Sequence, residues 1–358
     1  MATVVLAGGG TAGHIEPALA VAREWMKTHP ADTCIFLGTE HGLEKRLVPA
    51  AGFDLRTIPK VGISRKPSAS WLRIPFDLLA SIAASMRVLK KANVLIGFGG
   101  YVSAPAYIAA ALLRTPIVVH EANARPGWAN RLGARFTKHV AVAHPVESGS
   151  FSEALLAGLP LRSDVAQGCI DSASDWSKAR SSAKSRLGFP VDEPLVVIMG
   201  GSQGSVAINA VIAESISTFN EKNISVLHSV GRLNTVPDAI GGYKPVAYID
   251  AMASAYLAAD LIIARSGAVT CSEFRALGRY ALFVPLPIGN GEQFVNAASL
   301  VAAERAQIIT QKEFTPQFIA SHIMGLLEKA ASAPIAGDGQ DLHAAEKIVA
   351  LTEFAMNS

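Results

Sequence analysis

The chain reads as an α/β protein of two Rossmann-like parallel-sheet domains facing a central cleft, and three observations predict it. Apolar strand-like runs alternate with helix-like runs along nearly the whole length, the pattern of βαβ units and parallel sheets. Two glycine-rich loops, Gly8–His14 (GGGTAGH) and Gly200–Ser205 (GGSQGS), each follow an apolar run and open a helical one, about half the chain apart. Apolar residues make up 50% of the 358 and charged residues 17%. Strands covered on both faces need that composition, and the length suffices for two separate cores.

Taken in order, Thr3–Ala7, Thr33–Leu37, Asp54–Ile58, Val94–Gly97, Ile117–His120 and His139–Val142 read as strands. Helical patterns fall near Ile15–Lys27, Leu43–Ala51, Trp71–Lys91, Ser103–Leu113 and Gly127–Phe136. A second set of strands comprises Leu195–Met199, Ile224–His228, Leu261–Ala264 and Ala281–Pro285, with helices between. The stretch Gln167–Lys184, rich in Ser, Ala and Asp, reads as the joint and an irregular entry into the second domain. The boundary is expected near Leu161–Asp164, giving domains 1–162 and 163–340. A last helix within 341–358 can pack on either, the amino-terminal domain included.

Several classes are set aside. Ala92–Leu113 and Leu195–Ala213 reach the length of a membrane span, but each carries Gly-Gly near its middle. They divide more naturally into buried strand, glycine turn and helix. Met1–Ala7 lacks the basic region and long apolar core of a signal peptide and reads as a first strand. Cys34, Cys169 and Cys271 are odd in number and scattered, which suits a reducing compartment and neither a disulfide framework nor a metal site. A net charge of +3 says little by itself, and no nucleic-acid partner is expected.

In the first loop, Gly8, Gly9, Gly10 and Gly13 allow a bound group to approach the backbone at a helix N-terminus. No acidic residue closes the second strand as a ribose ligand would, so NAD binding is disfavoured. His14 ends the loop where a dinucleotide-binding turn carries a small residue. Exposure and reach make it a candidate base, the alternative being an ordinary first-turn residue. Glu16 lies close enough to orient its ring. Tyr101, in the turn Gly99–Pro105, and Asn123, after the fifth strand, share the rim with His14 at the carboxyl ends of strands, where ligands gather. They serve a ligand or satisfy loop backbone.

In the second half, Ser202, Gln203 and Gly204 form a loop like the first, and Arg265–Glu273 opens a helix straight after a strand. Backbone N–H groups at Gly267 and Ala268, with Arg265 or Ser266, suit a leaving diphosphate. Glu273 can accept from ribose hydroxyls, and Gly289–Gln293 offers groups for a sugar. Arg162, at the joint, can reach the phosphate. No Asp-x-Asp triplet occurs. Leaving-group charge must then fall to helix dipole, backbone amides and arginine, so neither metal nor other cofactor is expected. The tract Ser64–Phe76 mixes three cations with Trp71, Leu72, Ile74 and Phe76. Such a mixture is either a buried helix start or a patch for an anionic membrane surface, where each cation contributes about 1 kcal/mol.

The runs GGGTAGHIEPALAVA, GGYVSAPA, HEANARPGWAN, GGSQGS, RSGAVTCSEFRALGR and VPLPIGNGEQFVNA, in that order from Thr3 to about Ala297, resemble the MurG family of peptidoglycan N-acetylglucosaminyltransferases. These are inverting enzymes of GT-B type. The resemblance implies transfer of GlcNAc from UDP-GlcNAc to the C4 hydroxyl of MurNAc-pentapeptide on undecaprenyl diphosphate, at the cytoplasmic face of the bacterial membrane. It implies an acceptor-binding, membrane-associating first domain and a UDP-GlcNAc-binding second. By position His14 is the base, and Thr11, Ala12, Gly13 and Asn123 touch the GlcNAc side. Arg162 and Ser202 meet the phosphates or nearby sugar, and Ile249 holds uracil through its backbone. Ala268, Val269, Thr270, Cys271, Ser272 and Glu273 wrap the diphosphate and ribose, and Gln293 binds GlcNAc hydroxyls. The tract at Trp71–Phe76 falls where the family carries its membrane patch. Partners in cell-wall and division machinery are implied too.

Two departures stand out. The first loop has Ala12 where the family commonly has Gly, so a left-handed backbone there would be strained. Glu292-Gln293 stands where some members show Gln-Gln. The competing readings are a glycolipid-forming transferase, a UDP-GlcNAc 2-epimerase of similar architecture, and a non-catalytic scaffold. The epimerase has little use for Arg65–Phe76, and the scaffold has no need of His14.

Overall fold

Side chains of the first strand point alternately to opposite faces, and each face meets its own layer of helices. In the computed structural model, which describes residues 1–61, 73–146, 149–287, 291–333 and 337–358, that strand is β1 (Thr3–Gly8). It lies within a parallel sheet with β2 (Thr33–Gly38), β3 (Asp54–Thr57), β4 (Val94–Gly99), β5 (Ile117–Glu121), β6 (Val140–Val142) and β7 (Leu155–Leu156), in the order β3-β2-β1-β4-β5-β6-β7. The first unit's helices are α1 (Ala12–Thr28), α2 (Glu44–Ala50), α3 (Ile74–Leu89), α4 (Ser103–Leu113) and α5 (Trp128–Gly133). Val4 and Leu6 pack with Ile15, Leu19 and Trp25 on one face; Val5 and Ala7 pack with Val102, Ala106 and Tyr107 on the other.

The chain divides into two compact units, Met1–Arg162 with Asp341–Ser358, and Ser163–Gln340. The stretch expected to be an irregular joint is instead two helices, α6 (Ser163–Ser174) and α7 (Trp176–Leu187). Its Ser and Asp content suggested a loop, but Val165 and Cys169, four residues apart, share a buried face. The Asp175 side chain caps α7 by accepting from the Lys178 N–H, and left-handed Gly188 ends it.

The second sheet, also parallel, has the order β10-β9-β8-β11-β12-β13. Its strands are β8 (Leu195–Met199), β9 (Ser225–Ser229), β10 (Tyr243–Val246), β11 (Leu261–Ala264), β12 (Ala281–Phe283) and β13 (Ala306–Ile308). Its helices are α8 (Val206–Glu221), α9 (Met252–Ala258), α10 (Ala268–Leu277), α11 (Glu292–Ala302) and α12 (Pro316–Ser332). Strands β7, β10 and β13 escaped the sequence reading because they are short edge strands, and β10 carries Pro245. The long apolar runs divide as strand, turn and helix, and among the described residues no helix is long and apolar enough to cross a membrane.

The chain then returns to the first unit with α13 (Ala344–Met356). Its Ile348 and Val349 join the core around Trp25, and the Asp341 carboxylate accepts from the Leu159 N–H at 2.9 Å. In each sheet the strand order reverses direction once, between β1 and β4 and between β8 and β11. Loops at the carboxyl ends of such strand pairs frame a crevice, and the glycine-bearing turns after β1, β4, β8 and β11 lie there.

Candidate active site

The first crevice is built around a buried carboxylate that the sequence reading overlooked. Glu44, fully buried at the start of α2, accepts from the Gly10 N–H at 3.2 Å, the Thr39 N–H at 2.9 Å, the Thr39 hydroxyl at 3.1 Å and the Tyr101 hydroxyl at 3.3 Å. It therefore ties the first glycine loop to the ends of β2 and β4. Gly10 has φ +90°, and a Cβ there would meet the Tyr101 ring at 2.7 Å, so no other residue fits without rearrangement. Ala12 is the first residue of α1 and Gly10 takes the left-handed turn. The strain feared at Ala12 does not arise.

Thr11 is the exposed N-cap of α1, and Ala12, Gly13 and His14 form its first turn. The half-buried His14 ring places Nδ1 3.2 Å from the Gly9 carbonyl and 3.2 Å from the Thr11 hydroxyl. Gly99 and Gly100 back the ring: a Cβ on Gly100 would lie 3.2 Å from Nδ1. Burial pushes the His14 pKa below its ordinary value, and the charges of Glu121 and Glu44 together with the Gly9 contact oppose that shift. Burial thus favours the neutral ring. A carbonyl can only accept, so Nδ1 carries the proton and Nε2 keeps its lone pair.

Glu16 does not orient His14; it lies 3.5 Å from Arg162 in an ion pair. Arg162, expected at a phosphate, is anchored by that pair. Of the carboxylates whose charge acts on the imidazole, Glu121 has the larger effect. It accepts from the Asn123 N–H at 2.8 Å, the Asn123 amide at 3.0 Å, the Gly127 N–H at 2.9 Å and the Asn130 amide at 2.9 Å. Asn130 is fixed in turn by the Tyr107 hydroxyl, which donates to its Oδ1 at 2.8 Å. His14, Tyr101 and Asn123 are thus three positions on one frame of buried acids. Glu121 left a faint signal, a carboxylate closing an apolar strand; Glu44, flanked by Glu40, His41, Lys45 and Arg46, left none.

The second crevice uses a cation in the corresponding place. Arg265, 8% exposed, donates to the Val284 and Pro285 carbonyls at 2.8 and 2.9 Å, to the Ser205 hydroxyl at 2.7 Å and to Gln311 at 2.6 Å. Expected as a diphosphate ligand, it is committed to holding the 200–205 loop and the end of β12. Gly204 has φ +77° and abuts the Val230 carbonyl, leaving no room for a side chain, and Ser202 sits half-buried on this loop. Gly267 caps α10 without a side-chain bond, so the first N–H groups of that helix have no intrahelical partner. Ala268, Cys271, Ser272 and Glu273 are buried, and Val269 and Thr270 half-buried.

Glu273 is 2% exposed and accepts from the Tyr256 hydroxyl at 2.8 Å. Ile249 is 4% exposed, so what it can offer a ligand is backbone. Gln293 accepts from the Leu286 N–H at 2.9 Å. Gly289 and Asn290 lie outside the described residues, as do residues 64–72 of the cationic-apolar tract. Of its neighbours, Phe76 is 73% and Leu79 63% exposed. The described residues hold no cluster of three or more His, Cys, Asp or Glu that could bind a metal.

Two parallel-sheet units, each with a glycine loop and helix N-terminus at its switch point, form the two-domain frame of nucleotide-sugar enzymes. Residues 4–142 match the Glycosyltransferase family 28 N-terminal domain and residues 195–350 the C-terminal domain. The chain is 42% identical over 333 residues to the UDP-N-acetylglucosamine–N-acetylmuramyl-(pentapeptide) pyrophosphoryl-undecaprenol N-acetylglucosamine transferase of Paenarthrobacter aurescens, covering 91% of this chain and 87% of that one. It is 43% identical to the Mycolicibacterium vanbaalenii protein of the same name, covering 93% and 86%. The crystal structure of Acinetobacter baumannii MurG superposes with a TM-score of 0.69 at 27% identity, covering 99% of this chain and all of that one. The chain belongs to glycosyltransferase family 28 and, within it, to the MurG family of N-acetylglucosamine transferases.

Proposed function

We propose that the chain moves N-acetylglucosamine from UDP-N-acetylglucosamine, with inversion, to the C4 hydroxyl of N-acetylmuramoyl-pentapeptide on undecaprenyl diphosphate, forming the lipid-linked disaccharide. The observation that carries this reading is His14 in the first turn of α1, its Nδ1 3.2 Å from the Gly9 carbonyl, which leaves Nε2 to accept a proton. The first unit receives the acceptor. His14 draws the proton from its hydroxyl as the oxygen attacks the anomeric carbon on the face opposite the diphosphate. Thr11, Ala12, Gly13 and Asn123 lie beside that base and face the transferred sugar.

The second unit binds the donor. Ile249 meets uracil through backbone, Ser202 serves the phosphates or nearby sugar, and Gln293 serves GlcNAc hydroxyls; the same role as that of Ser202 is assigned to Arg162, a residue of the first unit. Ala268–Glu273 enclose diphosphate and ribose. As the C–O bond breaks, negative charge grows on the diphosphate, and the uncapped N–H groups of α10 stabilise it more in the transition state than before it. The exposed Phe76 and Leu79, at the end of the cationic-apolar tract, suit peripheral attachment to the anionic cytoplasmic membrane surface, where cell-wall and division proteins would meet the enzyme.

The test is incubation of the protein with radiolabelled UDP-N-acetylglucosamine and lipid-diphosphate N-acetylmuramoyl-pentapeptide. Label in a lipid-soluble disaccharide supports the reading. Free UDP with free sugar, or 2-epimerised sugar, and no lipid product would overturn it.

A further inference from the structure

Arg279 lies at the opposite end of the second sheet from both ligand loops. It follows left-handed Gly278 at the end of α10 and comes just before β12. It is 6% exposed. Its Nε donates to the Leu277 carbonyl at 3.2 Å, and its guanidinium carbon stands 3.8 Å from the Trp176 ring centroid. Among the described residues its two terminal nitrogens have no hydrogen-bond partner, yet neither is sealed from accessible space. The same holds for the hydroxyl of Tyr280, a residue 8% exposed. A buried guanidinium with idle donors costs free energy unless something accepts from it.

Both side chains line a cavity of about 140 Å³, walled on the apolar side by Leu327 and Ala330. The charge around it is one-sided. Asp260 is engaged by Arg180 at 2.6 Å and by Lys184 at 2.8 Å. Burial pushes Arg279 down to about 10; Asp260 opposes that, and Arg305 and Arg180 add to it. Four cations (Arg180, Lys184, Arg279 and Arg305) therefore gather about Asp260, with Asp192 a second carboxylate acting on Lys184, and an excess of two positive charges remains. A doubly charged head answers that excess better than a single carboxylate, and a planar fork of donors fits an oxyanion through two parallel hydrogen bonds.

We infer that this cavity is a second anion site, which takes the phosphate head of a small phosphate-bearing molecule on the Arg279 fork and the Tyr280 hydroxyl. The probe is inorganic phosphate, titrated calorimetrically into the full chain at constant ionic strength with UDP present in saturating amount, so that a diphosphate site is already filled. Saturable one-site binding is expected. Arg279→Gln should weaken it about tenfold or more, and Tyr280→Phe a few-fold, with UDP affinity unchanged in both. Should Arg279→Gln fail to fold, Tyr280→Phe and the acetate titration carry the test. No saturable phosphate binding at tens of millimolar, wild-type binding in the folded variants, or acetate binding as tightly as phosphate would each overturn the inference.

Discussion

The two glycine loops share a strand–loop–helix frame, yet they are anchored by opposite charges. Glu44 gathers the first loop through N–H and hydroxyl donors; Arg265 gathers the second through carbonyl and hydroxyl acceptors. Either ion satisfies the buried polar groups around it. The choice sets the field at each crevice: negative near His14, the proposed base, and positive beside α10, the proposed seat of the leaving diphosphate. Backbone pattern alone makes the two halves look alike. The buried ion tells them apart.

That contrast is broken most severely by removing the base. His14→Ala should lower kcat by about a hundredfold to ten-thousandfold, the usual range for a general base, while UDP affinity, read calorimetrically, stays as it was. Wild-type turnover in the variant would end the assignment of His14. Next comes the second anchor. Arg265→Met leaves the Val284 and Pro285 carbonyls and the Ser205 hydroxyl without their donor. Each buried group so stranded costs about 1–3 kcal/mol, so denaturant unfolding should show a loss of at least about 3 kcal/mol, with weaker UDP binding.

Acid should separate the units as well. His228 is buried between Tyr243 and Asn209, at 2.9 and 3.1 Å. Asn209 Oδ1 can only accept, so Nε2 donates to it and Nδ1 accepts from the tyrosine, and burial lowers the pKa to about 4. The unfolded chain therefore takes up this proton first. The stability it represents is complete above about pH 6.5, the model-peptide value, and is lost as the pH falls toward 4, by up to about 3 kcal/mol. In the first unit, burial lowers His14 and His120 in the same direction, but Glu121 opposes both shifts, joined by Glu44 at His14 and Asp341 at His120. Amide exchange between pH 6.5 and 4 should show protection falling faster around β9 than around β1. Equal loss, or an unaltered slope in His228→Gln, would remove this distinction.

How far this could be read in advance follows from what each residue's role depends on. The parallel sheets, the glycine turns and the helix starts were legible because they rest on apolar runs and on backbone freedom, both local. His14, Tyr101 and Asn123 were legible as strand-end polar residues. The partners were not. Glu16 is two residues from His14, yet it pairs with Arg162; Glu44 is thirty-four residues from Gly10, yet it binds the Gly10 N–H. Which acid meets which base is decided by sheet order, and strand order is not written in periodicity. Helices α6 and α7 were misread for a related reason: their stability comes from one packed face and caps rather than from apolar content.

Glu44→Gln sharpens the comparison without emptying the site. The amide keeps one acceptor oxygen, but its nitrogen faces groups that need one, a loss of about 1–3 kcal/mol. It also removes a negative charge that supports protonation of His14. The acid limb of kcat/KM should therefore move to lower pH, which a purely structural defect would not do.

Tyr101→Phe should be the mildest change on this frame. The hydroxyl lies 3.0 Å from the Thr39 hydroxyl and 3.3 Å from Glu44, and Glu44 keeps three other donors when it is removed. The ring still fills the space beside Gly10 that a Cβ would occupy. A cost of about 1 kcal/mol or less is expected, with kcat/KM within a few-fold of the parent and no movement of the acid limb. If the variant instead behaves like Glu44→Gln, Tyr101 and not the carboxylate fixes the loop, and the charge contrast between the two anchors loses its basis.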